Sequence, residues 1–352
     1  MSIASLKDIG LFILALLLFP WPVVQAEMGK GTVQDPVTRE YVDGVYKDWQ
    51  EGILLDPQTN NYIVTYKDGY GFYNSVMFEA ATKIEPVLKS KFKHPNSANT
   101  VVYEYKLKNG TRSKQNINMF LAHVSSINPG SPMGPKGWDG RAIPTLTDST
   151  LRLSWMYDSE EHLGGLAPGR SIGEFKVESS DLPGITVMEI TGAAKATTWL
   201  GHTPPFDTPV GKQLWELKTN NFVPRPAAVP LIPVPNPFDA AAVLTNMQRH
   251  VNQDLVGMKL IDPAFASQLD RLFQTAIAAA KGGNTVALKG NLKDLRQMLK
   301  REHADVDKDD EDWDKDDDKN KEKDKSRLID KLAVKVLDFD LKYIQKRLGN
   351  ND

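Results

Sequence analysis

Six prolines fall within sixteen residues of this chain, in the stretch Val223-Pro-Arg-Pro-Ala-Ala-Val-Pro-Leu-Ile-Pro-Val-Pro-Asn-Pro-Phe238. Proline has no backbone N–H and holds φ near one value, so the stretch excludes a helix interior and a central strand. Residues 223–238 read as an extended proline-rich linker. The linker also separates two hydrophobic rhythms. Before it apolar residues alternate, and after it they recur at three and four. The expected fold is an all-β antiparallel sandwich domain over 27–222 plus a small C-terminal all-α helical bundle over 239–349.

Period-2 segments carry the sandwich expectation. They are Asn61–Tyr66, Val101–Leu107, Ile117–His123, Leu151–Trp155, Ser171–Val177 and Ile185–Ile190. Lys108-Asn109-Gly110 reads as a hairpin turn that pairs the second segment with the third. Pro168-Gly169 and Pro183-Gly184 read as turns, and Phe78–Phe92 is ambiguous between strand and helix. Tryptophans 138, 155, 199 and 215 fill a sandwich core, as aromatic residues in strands usually do, or form a glycan-binding platform. Trp138 is the candidate ligand residue, because it stands in the loop Gly134-Pro-Lys-Gly-Trp-Asp-Gly140.

Catalytic patterns are sparse. The sequence holds no His-Glu-x-x-His and no Gly-x-Ser-x-Gly. His94, His123, His162 and His202 lie far apart along the chain. Glu160, Glu161 and His162 are adjacent in a polar loop, where side chains commonly face water. Gly164-Gly165 to Gly169 is glycine-rich but lacks the lysine and serine of a phosphate loop. A hydrolase of glycosidase type would need Asp and Glu residues from separate strands brought together, which spacing alone does not reveal.

Several of these runs also resemble a known module. Tyr103-Glu-Tyr-Lys-Leu-Lys-Asn109, Ser113-Lys-Gln-Asn-Ile117, Pro135-Lys-Gly-Trp138, Leu166-Ala-Pro-Gly169, Phe175 and Ser180-Asp-Leu-Pro-Gly184 occur in that order. The order resembles an uncharacterised β-sandwich module of bacterial secreted proteins, over about residues 95–192. The resemblance implies an extracellular sandwich and carries no catalytic residues.

After the prolines, Asp262-Pro263 has the form of a helix start, with Asp262 as cap. Phe265, Leu269, Leu272, Phe273, Ala276, Ile277 and Ala280 make one apolar stripe, and Gly282-Gly283-Asn284 ends it. A second helix is expected over 285–301 and a third over 326–348, with Ser326 as its cap. An upstream helix over 239–253 completes the bundle, with His250 read as a surface group. The series Leu269-x-x-Leu272, Ala276, Gly282-Gly-Asn284, Ala287, Gly290-Asn-Leu292, Leu295 and Leu328-Ile329 resembles the FIMAH helical module. That resemblance covers 244–348 and implies attachment or interaction. Met298 and Leu299 stand near its aromatic position, and an acidic insertion, 303–325, replaces its short connection.

Within the insertion, Asp305 to Lys325 hold ten Asp and two Glu against six Lys, a net of −6. Such a run repels itself and resists packing. Asp305, Asp307 and Asp309 alternate as in a calcium loop, and Asp312, Asp314 and Asp316 repeat the spacing. These six are the candidate metal ligands, and calcium is the candidate cofactor. A full EF-hand loop is excluded, since Asp310 and Asp316 stand where glycine and glutamate are required.

The first residues set the compartment. One lysine, an apolar run from Leu11 to Phe19 and the small-x-small end Val24-Gln25-Ala26 have the order of a secretory signal peptide, residues 1–26. The run is too short to span a bilayer. The mature chain is expected in the periplasm, at the cell surface or outside, with no membrane span. It contains no cysteine, so core burial or bound ions must hold it together. The near-neutral charge gives no global pull toward nucleic acid. The leading expectation is a non-catalytic binding protein for an extracellular protein or glycan. A glycosidase-like hydrolase and a structural matrix protein are the alternatives.

Overall fold

The structure, a computed structural model, describes residues 41–42, 45–46, 51–56, 58–67, 70–71, 73–94, 100–124, 130–145, 150–158, 164–194, 207–303 and 327–349. Residues 1–26, read from the sequence as a signal peptide, lie outside them. The chain divides into two compact units, residues 1–50 and 51–352. In the first, the described residues form one short ladder, β1 (Tyr41–Val42) with β2 (Val45–Tyr46).

The second unit begins with β3 (Gly52–Asp56), β4 (Asn61–Lys67), β5 (Tyr73–Glu79), β6 (Pro86–Lys93), β7 (Val101–Asn109) and β8 (Ile117–Val124). Strands β9 (Trp138–Pro144), β10 (Leu151–Tyr157), β11 (Ser171–Ser179) and β12 (Leu182–Gly192) follow. Helix α1 (Pro209–Thr219) and strand β13 (Val223–Ile232) come next. Five strands pair in the order β13-β12-β8-β10-β9 and three in the order β11-β7-β6, every pair antiparallel. The two sheets form the sandwich. Alternation along β7 aims Tyr103, Tyr105 and Leu107 inward, and they are fully buried. Facing them, Phe120 stacks on Trp155 at 4.9 Å, and Phe175 meets Phe120 edge-on at 4.8 Å. Truncating a ring at such a site costs roughly 3–5 kcal/mol.

Two turns read from the sequence resolve differently. Strand β8 pairs with β10 and β12 and not with β7. Asn109-Gly110 is therefore a corner between sheets. The buried Asn109 side chain donates to the carbonyls of Gln115 and Leu166, both at 2.9 Å, and holds that corner. Pro183-Gly184 lies inside β12, and Phe78–Phe92 belongs to β5 and β6. Gly165 brings its loop against β8: a Cβ there would stand 2.1 Å from the Ile117 carbonyl.

The proline stretch is also divided. Val223–Ile232 is an edge strand paired along β12, and only 233–238 runs on outside the sheet. The phase of the prolines explains this. Ala228 points its N–H away from β12, to Ser90 Oγ of β6 at 3.0 Å. Pro224, Pro226 and Pro230 share the even phase of Ala228, so each missing N–H falls on the outward side. Prolines placed this way forbid a further strand without weakening the existing ladder.

A smaller sheet, β3-β4-β5, packs against α1 through Val64, Tyr66, Val210 and Leu214. Helix α1 lies within the zone read as strands. Thr208 caps it through Gly211 N–H at 3.0 Å, with Pro209 in its first turn.

The remaining helices are α2 (Ala240–His250), α3 (Pro263–Lys281), α4 (Thr285–Glu302) and α5 (Lys331–Gly349), with a π-helical turn at Val251–Leu255. Helix α5 starts after the expected 326, because Asp330 caps it. The helices are not separate from the sandwich: one continuous core runs from the sheets through all four. His250, read as a surface group, is 2 % exposed. Its Nε2 accepts the Ile185 N–H of β12 at 3.0 Å, and its Nδ1–H faces Asp254 Oδ2 at 2.7 Å.

Helix α5 meets the sandwich with two titratable groups in apolar surroundings. Asp340 is 1 % exposed, and neither carboxyl oxygen has a hydrogen-bond partner among the described residues. Burial pushes its carboxyl well above the usual range. Tyr103, whose hydroxyl donates to the Asp181 carbonyl at 2.8 Å, faces it from the sandwich. Its neighbour Asp338 is satisfied by Arg296 and Lys342, at 2.7 and 2.8 Å. His94 stacks on Phe339 at 4.6 Å and on Tyr343 at 5.3 Å, and burial lowers its pKa.

The two groups act on stability with opposite sign. Above about pH 4 an unfolded Asp340 is ionised while the folded one keeps its proton, so its contribution falls as pH rises. Below about pH 6.5 an unfolded His94 binds a proton that the folded one resists, so its contribution rises with pH. Above that pH only the Asp340 slope remains. Asp340→Asn is expected to raise the melting temperature by a few degrees near pH 8 and much less near pH 4. Melts across that range check this, and an equal effect at both ends would refute it.

Candidate functional site

The structure brings one cleft together from two distant segments, at the base of the acidic insertion. The π-helical turn ends in a capped reversal: Lys259 N–H donates to the Val256 carbonyl at 3.0 Å and Leu260 N–H to the Leu255 carbonyl at 2.9 Å. This bond pair calls for a left-handed residue, normally glycine. Lys259 occupies the position with φ 59°. Ile261 then bridges Ile329, with Asp262 N–H on the Leu328 carbonyl and Asp330 N–H on the Leu260 carbonyl, both at 2.7 Å. Directly after this pairing Asp262 caps α3 and Asp330 caps α5. Two helix N-termini therefore open side by side, each met by its own carboxylate.

The segment 327–330 is tied in turn to the exit of α4. His303 is 1 % exposed, and its Nε2–H donates to the Ile329 carbonyl at 2.8 Å. Its Nδ1 accepts from the Arg327 guanidinium. Arginine only donates, so Nδ1 is the ring nitrogen without hydrogen. Glu302 adds a bond to Leu328 N–H at 3.2 Å. Residues 304–326, between His303 and Arg327, lie outside the described residues. The contact of His303 with Arg327 closes the neck from which the acidic run leaves and to which it returns.

The cleft has a volume of about 390 Å³ and is lined by residues 256, 259–263 and 327–330. That volume suits a small ligand or a side-chain group of a partner. Its lining combines the apolar Val256, Leu260, Ile261, Leu328 and Ile329 with Lys259, Arg327, Asp262 and Asp330. Both aspartates already accept helix N–H groups. The Lys259 side chain has no partner among the described residues. An arrangement of this kind can hold a ligand through charge and apolar contact.

The residues singled out in the sequence lie elsewhere. Trp138 is 7 % exposed and packs edge-on against Phe175 at 5.1 Å and Tyr157 at 5.7 Å. It plugs the aromatic core and turns no open face to solvent. Trp155 is wholly buried, whereas Trp215 on α1 is exposed. Asp305, Asp307, Asp309, Asp312, Asp314 and Asp316 lie outside the described residues, as do Glu160, Glu161 and His162. Among the described residues no three His, Asp or Glu side chains group closely enough to hold a metal ion. His123 and Glu189 approach to 4.0 Å on the sandwich surface, where burial raises the Glu189 pKa. The neck was missed because its bonds join residues 24 to 26 apart. The one available signal was a histidine and an arginine bracketing the charge run.

No family model and no curated protein matches this chain. Among solved structures, 41 % of the chain is similar to 96 % of an uncharacterized protein from Nocardia farcinica whose crystal structure reveals an immunoglobulin-like fold. The identity is 14 % and the TM-score 0.24.

Two substitutions test the neck in urea melts. Lys259→Gly is expected to stabilise the fold by about 1 kcal/mol, by relieving the left-handed backbone. His303→Ala is expected to destabilise it by about 1–3 kcal/mol, because the Ile329 carbonyl loses its donor. A destabilising Lys259→Gly would show that the side chain itself holds the turn.

Proposed function

We propose that this chain is an exported, non-catalytic interaction protein whose acidic segment is its calcium-responsive element. The observation that carries the reading is the bond between His303 and Arg327. It closes the folded body beneath the segment, so the helices on either side do not depend on how residues 304–326 are arranged. A net charge of −6 held on a closed neck draws hard cations. Asp305, Asp307 and Asp309 form one ligand set and Asp312, Asp314 and Asp316 a second. Without the EF-hand glycine and glutamate, their affinity falls in the weak range of extracellular modules, about 0.1–1 mM. Export to the periplasm, the cell surface or the medium exposes the segment to that concentration.

The helical part then acts as the FIMAH-like attachment module, and the sandwich as its support. The partner is an extracellular protein or glycan. Among the described residues no helix is long and apolar enough to cross a membrane.

Calcium titration followed by tryptophan fluorescence tests this, because Trp313 lies inside the segment. The expected result is a saturable change that disappears in Trp313→Phe and in an Asp305, Asp307 and Asp309 triple alanine variant. A flat titration, or a response unchanged in the triple variant, would overturn the reading.

A further inference from the structure

Helix α4 presents an open basic face. Its core side is Leu288, Leu292, Leu295 and Leu299. With 3.6 residues to the turn, Lys289, Lys293, Gln297 and Arg301 fall on the opposite side, and all four are exposed. Lys289, Lys293 and Arg301 have no hydrogen bond or ion pair among the described residues. Lys300 borders them but is half-buried and already engaged. Asp294 is exposed at the edge of the face. The helix dipole accounts for Arg301, which stands in the last turn. It does not account for Lys289 and Lys293. These stand in the first half of the helix and, four residues apart, repel each other. Nothing in the fold therefore rewards the two lysines, and an anion laid across them would.

We propose that the acidic segment of the same chain, residues 304–326, lies back along this face, where Lys289 and Lys293 compete with calcium for its carboxylates. The charges are complementary, since Asp305 to Lys325 carry a net of −6. Connection favours the contact as well, because the segment leaves directly from the end of α4. Lys289 lies fourteen residues before His303, a distance of about 21 Å along the helix. Residues 304–326 reach roughly 75 Å when extended, enough to run up the helix and return to Arg327. The most acidic stretch, Asp309–Asp318, then falls level with the two lysines. Lysine suits the pairing, because its ammonium is a compact charge that makes no demand on the geometry of a carboxylate. The competition rests on the calcium reading above, whereas the contact with α4 stands without it.

The full chain, in chelator and at low salt, is treated with a carbodiimide that couples lysine amines to nearby carboxylates. Peptide mapping is expected to join Lys289 and Lys293 to residues 305–325 several-fold more often than Lys259. Lys259 is the control for mere proximity, because it is exposed and lines the cleft beside Arg327. The links should fade at high salt, and mixing with an isotope-labelled copy should show them within one chain. Lys289→Gln with Lys293→Gln should tighten calcium binding on the order of threefold, by freeing the carboxylates. Preference for Lys259, or links mainly between chains, would overturn the contact. Links with an unchanged calcium affinity in the glutamine variant would overturn the competition alone. Links with a flat calcium titration of the unaltered chain would overturn the calcium reading and the competition, and leave the contact standing.

Discussion

The docking of α5 on the sandwich is the constraint on which the second unit depends. With no cysteine in the chain, no covalent clamp supplements burial. Phe339 meets Phe92 of β6 edge-on at 5.1 Å, and Tyr343 meets Phe238 at 6.0 Å. His250 ties the end of α2 to the same sandwich through a hydrogen bond to β12. Sheets and helices therefore share one core, and neither buries its apolar face without the other. That sharing accounts for Asp340. A carboxyl group sealed into this seam persists because the surrounding contacts outweigh the cost of keeping it neutral.

The proline stretch shows how one local rule has two structural outcomes. The rule that proline forbids a central strand holds, since β13 is an edge. Which side of an edge strand lacks N–H groups depends on phase, and phase is set by the partner. Ala228 and its bond to Ser90 supply that information, and they lie 138 residues apart. The resulting strand brings the helices directly onto the sheet, where a spacer would have held them away. A boundary argued from composition alone became a seam.

The strands themselves were legible, because alternation is local and the inward faces of β7, β10, β11 and β12 follow it. Partners were less so. Strand β8 left its neighbour in sequence because Asn109 bonds across the corner, and one buried amide decided which sheet received the strand. Helix α1 escaped notice although Thr208-Pro209 announces its start, because strands on both sides dominated the pattern. The helices α3 and α4 were read closely, since cap, stripe and terminal glycine agree. The neck was legible in none of these ways. Lys259 takes a position that glycine usually marks, so the punctuation was absent where the turn was tightest.

Net charge was the least informative quantity. A sum of −2 for the chain suggests a surface indifferent to polyions. It is the residue of two separated populations. Six lysines fall on one sheet face because Lys89, Lys91, Lys93, Lys106, Lys108 and Lys176 obey the strand period. Ten aspartates gather between residues 305 and 325 of the sequence. Each population acts on its surroundings over about one Debye length, 8 Å at physiological salt. Lys93 and Lys176 both meet Glu104 on that sheet, so part of its charge is answered within the face itself. Strand periodicity separates charges that a sum over the composition cancels, and only the register of the strands shows which lysines share a face.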